Sequence, residues 1–412
     1  MPQFLELTNY HEAITLFLAN LPAVIPAIEW IKTQDALHRI LGETIIAPEP
    51  LPAFSRSTVD GYAVMAADTY GASASIPVYL NVIGEVPMGS SAGFSLSAGQ
   101  TGMIHTGGML PAGSDAVVMI EDTQISREGE IEIYRAVGVG DNIILAGEDV
   151  RVGDEVLQSG LRLRPAEIGG LLALGFKKIP VTKALTVAII SSGDEVISPE
   201  EKPGPGQVRD INSFTLRSLI QQHGGNALLY GIAPDNFEAM QALVEKAHKE
   251  CDMVIITAGS SASSRDMTAE VIRTLGSPGV LVHGVRIRPG KPTILAVCDG
   301  KPVIGLPGNP VSALVIASLF VVPALEQLAG FSRRRPAPLI RARLAINVPS
   351  VAGRDDFIPV RLSHNGDSYT ADPIFFKSNM IFTLAQADGL LHVPADAVGL
   401  GVGEWADIIF LP

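Results

Sequence analysis

The sequence predicts a multidomain α/β protein, with a doubly wound α/β domain between a β-rich N-terminal subdomain and a small C-terminal β-barrel. Three observations carry this reading. Strand-like and helix-like runs alternate through residues 183–332, the pattern of a mostly parallel sheet. Short apolar runs separated by Gly and Pro turns fill residues 48–142. Beyond Leu339 apolar and polar residues alternate, as in strands with one buried face. A chain of 412 residues, 47% hydrophobic and 18% charged, has room for several domains and is too apolar to be disordered.

The N-terminal region spans 1–182, with 1–47 and 143–182 as its helical and linker part. Ala13, Phe17 and Leu18 share one face of a helix over His11–Leu21. After Pro26 the spacing of Ile28, Ile31, Leu37 and Ile40 predicts more helix, with Asp35 as N-cap for Ala36–Leu41 and Gly42 as stop. Within 48–142, Val78–Ile83 and Ala116–Ile120 are the clearest strands. Pro165 then opens a helix over Ala166–Leu174, which Gly175 closes.

In the α/β domain, 183–332, strands are expected at Leu185–Ile190, Met253–Thr257 and Pro302–Gly305. Helices are expected at Ser213–Gln222, Phe237–Lys249 and Met267–Leu275. Parallel strands place their C-terminal loops along one sheet edge, where ligands bind. No charge interrupts Pro302 to Leu325, a length that could span a bilayer. Pro307, Gly308 and Pro310 break it, and Pro323 interrupts the remainder. A short strand, a tight loop and a buried helix follow, and no membrane span. Arg333–Pro338 is a solvated linker into the C-terminal β domain, 333–412, with strands expected near Ile340–Ile346, Phe357–Leu362 and Trp405–Leu411.

Net charge is -13, so no nucleic-acid partner is expected: that needs a basic face. An acidic protein can still bind an anion through a local site. Cys251 and Cys298 sit in or beside apolar runs, as lone buried thiols of a reducing, cytoplasmic compartment. Residues 1–6 lack the basic start of a signal peptide. Walker, GxGxxG and HExxH motifs are absent from the sequence.

Three loops suit an anion. Gly259, Ser260 and Ser261 open a small-residue loop running to Asp266, and the helix after it adds free N–H groups. Gly308, Asn309 and Pro310 precede a second helix. Arg286-Ile287-Arg288-Pro289-Gly290-Lys291-Pro292 brings three cations within six residues. Taken singly, a serine-rich turn and a rigid connector with solvated charges account for them equally well. The carboxylates Asp60, Glu148, Asp149, Asp194 and Glu195 lie in loops or at strand ends, where a surface charge or cap is the simple reading. His105, beside Thr106, reads as structural.

Taken together, these motifs make the chain resemble the molybdopterin molybdenumtransferases, the MoeA type also found as the C-terminal domain of gephyrin. The resemblance rests on Leu51-Pro52-Ala53-Phe54 with Asp60-Gly61-Tyr62-Ala63-Val64, and on Thr106-Gly107 with Pro111-Ala112-Gly113 and Asp115-Ala116-Val117-Val118. It continues through Gly147-Glu148-Asp149, Ser192-Gly193-Asp194-Glu195, Asn212-Ser213 and Pro289-Gly290-Lys291-Pro292. Leu306-Pro307-Gly308-Asn309-Pro310 and Ala387-Asp388-Gly389-Leu390 complete it.

That resemblance implies a molybdopterin-binding α/β domain and an elongated homodimer that brings the N-terminal β region of one chain against the α/β domain of the other. It implies that molybdate enters adenylylated molybdopterin, releasing AMP and molybdenum cofactor with help from magnesium. Asp60, Thr106, Asp149, Glu195 and Asp266 match residues tied to activity. Asp60, Asp149 and Asp266 are the implied metal carboxylates. Substrate contacts are implied at Ser192, Gly193, Asp235, Gly259, Ser260, Ser261, Arg288, Lys291, Pro307, Gly308, Asn309 and Pro310. Candidate protein partners are the molybdopterin adenylyltransferase and apo-molybdoenzymes.

Arg288 stands where the family usually has lysine. The serine-rich 258–266 loop is one residue shorter than the family's Ser-Gly-Gly pattern, and Ser55-Arg56 replace Asp-Asn. The competing readings are a tungstate-inserting homologue, an adenylyltransferase and a non-catalytic cofactor scaffold. A dianion ~4 Å from one carboxylate meets roughly 8 kcal/mol of repulsion at an effective dielectric near 20, which basic loops and a bridging cation offset.

Overall fold

The computed structural model describes residues 7–23, 26–258, 262–332, 340–366 and 368–410. The linker 333–338 and the loop residues Gly259, Ser260 and Ser261 lie outside them. The chain packs as two compact units. One comprises Met1–Glu43, Ser159–Arg164 and Lys178–Pro412, the other Thr44–Gln158 and Pro165–Lys177.

The smaller unit is built on a six-stranded sheet. Its strands run in the order Ala116–Met119, Gly61–Val64, Gln100–Ile104, Val78–Glu85, Glu130–Ile133 and Thr123–Arg127. Period-two alternation buries Tyr62, Val64, Leu80, Val118, Ile131 and Ile133 together on one face. The helix Pro165–Ala173 starts on its proline, as expected.

In the larger unit, Tyr10–Ala19 is helical and turns Ala13 and Phe17 inward. The helix expected after Pro26 does not form. Ile28–Lys32 is instead a strand, paired antiparallel with Lys178–Thr182. Thr33–Asp35 is a single 3-10 turn with Asp35 inside it, so Asp35 caps nothing. Ile28, Trp30 and Ile31 are good strand formers, and a partner 150 positions away supplies the hydrogen bonds that local spacing cannot foresee.

The α/β domain alternates β1 (Thr186–Ser192), α1 (Asn212–Gln222), β2 (Asn226–Ala233), α2 (Phe237–Glu250), β3 (Met253–Ala258) and α3 (Ala262–Arg273). It continues with β4 (Pro278–His283), the short β5 (Ile287–Arg288), β6 (Ile294–Cys298), β7 (Lys301–Pro307) and the long helix α4 (Pro310–Leu328). The sheet order is β2-β1-β3-β7-β6-β4. The first four strands are parallel, and β6 and β4 run antiparallel at one edge. β1, β3 and β7 are buried almost throughout, as strands covered on both faces must be. One face packs under α4 and the N-terminal helix through Phe17, Phe320 and Leu325, the other under α2 and α3 through Met240, Val244 and Ile272.

Pro323 does not interrupt α4. A π turn over Ala317–Val321 immediately precedes the final segment, and Pro323 falls near the start of that segment. Widening the turn accommodates the ring and the missing N–H. The helix is long and apolar enough to cross a membrane, but 67% of that stretch is buried inside the protein, the mark of a core helix.

β8 (Ile340–Leu344), β9 (Asp355–Asn365), β10 (Ser368–Pro373), β11 (Gly389–Val393) and β12 (Trp405–Phe410) form the expected small barrel. It closes in the order β9-β10-β8-β12-β11 and back to β9. Leu344, Val360, Leu391 and Ile408 fill it. β5 joins the rim as a parallel partner of β9, with Ile287 opposite Asp355 and Arg288 opposite Asp356.

Candidate functional site

Because β1, β3 and β7 are parallel, Ser192, Ala258 and Pro307 end along one edge of the sheet. A cavity of about 630 Å³ opens there, lined among others by Ser192, Glu195, Arg209, Asn212, Gly308 and Asn309. Ser192 is buried, and its hydroxyl donates to the Thr257 carbonyl at 3.3 Å. Asn212, at the start of α1, donates its amide to the Gly308 carbonyl at 2.7 Å and so ties two of the edge loops together. The Asp235 N–H donates to the Asp194 carboxylate at 3.1 Å, which places exposed Asp235 beside the Gly193–Glu195 turn.

A second cavity, of about 860 Å³, lies between the basic loop and the barrel rim. Arg286, Arg288, Lys291, Arg354 and Lys377 line it, with Pro307, Asn309, Ser312 and Ser378. The loop comes close because Gly290 has φ +107°, and a Cβ there would fall 2.3 Å from Ile316 on α4. Among the described residues that line it, none is acidic. A chain of net charge -13 therefore concentrates five cations around one hollow, the local exception that anion binding requires. Asn309 lines both cavities, and its amide donates to the Ser378 hydroxyl at 2.9 Å.

In the smaller unit, the Asp60 carboxylate accepts from the Thr106 N–H at 2.7 Å and the Thr106 hydroxyl at 3.1 Å. These two bonds, and then the nearby His105 ring, hold Asp60 below the usual carboxylate range. The His105 ring lies between two carboxylates: its Nδ1 is 3.7 Å from Asp60, and its Nε2 is 3.0 Å from Glu85. The strand that follows needs Gly61 at its start, since a Cβ there would meet the Val118 carbonyl oxygen of the paired strand at 1.9 Å. Asp149 is exposed on a turn whose N–H donates to the Leu51 carbonyl at 3.1 Å.

The fold thus gathers Ser192, Gly193, Glu195, Asp235, Gly308, Asn309 and Pro310 at one sheet edge. It adds Arg288, Lys291 and Pro307 in the adjoining basic cavity. Asp266 is exposed inside α3, not in the loop before it, because that helix already starts at Ala262. It lines neither cavity. Among the described residues no group of three His, Cys, Asp or Glu side chains is arranged to hold a metal. Asp60 and Asp149 are nonetheless exposed oxygen donors, the ligand type magnesium takes alongside substrate phosphates. Sequence reading missed Arg354, Lys377 and Ser378. They lie in no motif, and only barrel closure brings them to the loop 286–292.

The chain matches the MoeA N-terminal region (domain I and II) over residues 8–175, the probable molybdopterin binding domain over 188–327 and the MoeA C-terminal region (domain IV) over 341–411. A molybdopterin-binding-type α/β domain between these flanking regions makes this a protein of molybdenum cofactor biosynthesis. It is 36% identical over 393 residues to a molybdopterin biosynthesis protein of Methanocaldococcus jannaschii, covering 93% of this chain and 92% of that one. It is 32% identical to the molybdopterin molybdenumtransferase of Staphylococcus epidermidis, covering 92% and 90%. The crystal structure of the molybdopterin biosynthesis MoeA protein from Pyrococcus horikoshii OT3 superposes with a TM-score of 0.84 at 33% identity, covering 98% of this chain and 100% of that one. The chain belongs to the molybdopterin molybdenumtransferase family.

Proposed function

We propose that this protein inserts molybdate into adenylylated molybdopterin, releasing AMP and molybdenum cofactor. The observation that carries the reading is the meeting of two cavities at Asn309, one polar and lined by the sheet edge, one ringed by cations. The first offers a pterin phosphate the second amide hydrogen of Asn212, beside the N-terminus of α4. The second suits a tetrahedral dianion: two unit charges ~4 Å apart attract by about 4 kcal/mol at an effective dielectric near 20, and five cations share the task. Arg288, Lys291 and Arg354 would hold the oxyanion, and Glu195 faces the pterin cavity.

Asp60, Asp149 and Asp266 are the carboxylates we assign to magnesium. When bound, that ion would neutralise phosphoanhydride charge and polarise the bond. Asp60, kept ionised by Thr106, presents a full negative charge at neutral pH. We further propose that the active form is a homodimer in which Asp60 of one chain serves the α/β domain of its partner. A cytoplasmic site of action agrees with two buried, unpaired cysteines. The adenylyltransferase that makes the substrate and the apo-molybdoenzymes that take the product are the partners this reaction needs.

The test is incubation with adenylylated molybdopterin, magnesium and either molybdate or tungstate, reading AMP release, with a chelator control. Oxyanion-dependent, chelator-sensitive AMP release supports the reading. Tight pterin binding without AMP release marks a scaffold and overturns it.

A further inference from the structure

Behind the basic cavity lies a carboxylate that none of the chemistry above uses. Asp356 on β9 is fully buried, at 0% exposure. An unpaired charge there would cost several kcal/mol, so its partners define its purpose. Arg354 donates to it from Nε at 2.7 Å and from Nη2 at 3.2 Å. The Ser350 hydroxyl donates at 2.9 Å, and Arg288 Nη1 stands 4.0 Å away. Two of these three partners line the 860 Å³ cavity. The parallel pairing of β5 with β9 sets Arg288 directly opposite Asp356.

We propose that Asp356 is a positioning residue for oxyanion binding: it takes the Nε–Nη2 edge of Arg354 and turns the remaining guanidinium donors toward the cavity. This rests on the reading of that cavity as the oxyanion site. Arginine carries five N–H donors in a rigid plane, so fixing one edge aims the rest. Without the carboxylate, Arg354 is a flexible cation on a rim, and Arg288 loses the charge that faces it. The next carboxylate, Asp355, points to the other side of the strand and accepts from His392 Nε2 at 2.8 Å. It is a matched control, a buried acid on the same strand that bonds to no cavity side chain.

A plain charge argument gives the opposite sign. Removing a negative charge makes the cavity more positive, so a carboxylate that only tempers the potential should weaken oxyanion binding, and its loss should tighten it. Calorimetric titration of the full-length protein with sodium molybdate separates the two. Asp356→Asn should weaken molybdate binding about tenfold, equivalent to about 1.4 kcal/mol. KM for molybdate should rise alike while kcat moves less than about twofold. In an Arg354→Ala background the same substitution should change affinity by less than about twofold, because its effect runs through that side chain. Asp355→Asn should leave molybdate affinity within about twofold.

Should Asp356→Asn fail to fold, Arg354→Lys keeps the charge but not the fork and should show the same tenfold loss. Unchanged or tighter binding in Asp356→Asn, or in Arg354→Lys, overturns the proposal while Lys291→Ala still weakens binding. If wild type binds no molybdate, or binds it equally well after Lys291→Ala, the oxyanion reading of the cavity falls and this inference with it.

Discussion

Glu326→Gln tests how the chain holds the α/β domain to the segment that returns from the smaller unit. Glu326, near the end of α4, receives Arg162 Nη2 at 3.0 Å and contacts His223 Nδ1 at 3.3 Å. Arg162 lies on the returning segment Ser159–Arg164 and stacks 4.6 Å over the Phe331 ring. Side-chain exposures of 12%, 21% and 16% for Glu326, Arg162 and His223 leave the cluster mostly out of water. Burial pushes the Glu326 carboxyl up, but the His223 bond and the Arg162 charge outweigh it and hold it below the usual range.

Removing one member of a fully buried pair costs about 3–5 kcal/mol. Glutamine keeps the acceptor and the shape, and some water reaches Arg162, so roughly 2 kcal/mol is expected here. At about 1.7 °C per kcal/mol for a unit of about 280 residues, the calorimetric melting point should fall by ~3–4 °C at pH 7. The folded-state pKa of Glu326 is depressed, so its contribution is full above the ordinary glutamate value near 4.3 and is lost as pH falls through the lower folded value. The gap between wild type and variant should therefore be widest at neutral pH and close below about pH 4. Equal melting points at pH 7, or a gap that stays constant into acid, would refute the reasoning.

Four further outcomes follow from the proposed chemistry. Asp60→Asn should abolish AMP release with an unchanged melting point, since the amide oxygen still accepts from Thr106; full activity in that variant removes Asp60 from the reaction. Thr106→Val takes away the side-chain bond that depresses Asp60, so the acidic limb of the activity profile should move to higher pH, and an unmoved limb denies the coupling. Gly308→Val, at the rim of the pterin cavity, should weaken pterin binding in calorimetry, and unchanged affinity in a folded variant rejects close backbone approach there. For the shared site, Asp60→Asn and Asp266→Asn chains should each be inactive. Mixed by dissociation and reassociation, they should regain roughly a quarter of wild-type sites, and a verified mixed dimer without activity rejects sharing between chains.

Much of this protein is legible in its sequence because the relevant signals are local. The strands ending at Ser192, Ala258 and Pro307 read as apolar runs closed by polar loops, and a parallel sheet must gather those loops on one edge. Spacing also located the helices Asn212–Gln222 and Phe237–Glu250 and three of the five barrel strands, while Ser368–Pro373 and Gly389–Val393 went unread. Where pairing is remote, local spacing misled. Ile28–Lys32 fits a helical stripe, yet hydrogen bonds from Lys178–Thr182 make it a strand. Pro323 looks like a break, yet a π turn five residues long absorbs it within a buried helix.

The basic cavity shows the same division. Arg288 and Lys291 announce themselves in a short charged loop. Arg354, Lys377 and Ser378 carry no motif, and barrel closure together with the pairing of Arg288 opposite Asp356 brings them there. Sequence by itself determined the strands ending at Ser192, Ala258 and Pro307, the sheet edge they form and the charged loop, since each depends on residues within a turn or a strand of one another. Only the tertiary structure decided which distant cations share a cavity and which buried carboxylate aims them, because those contacts exist only once the chain has closed on itself.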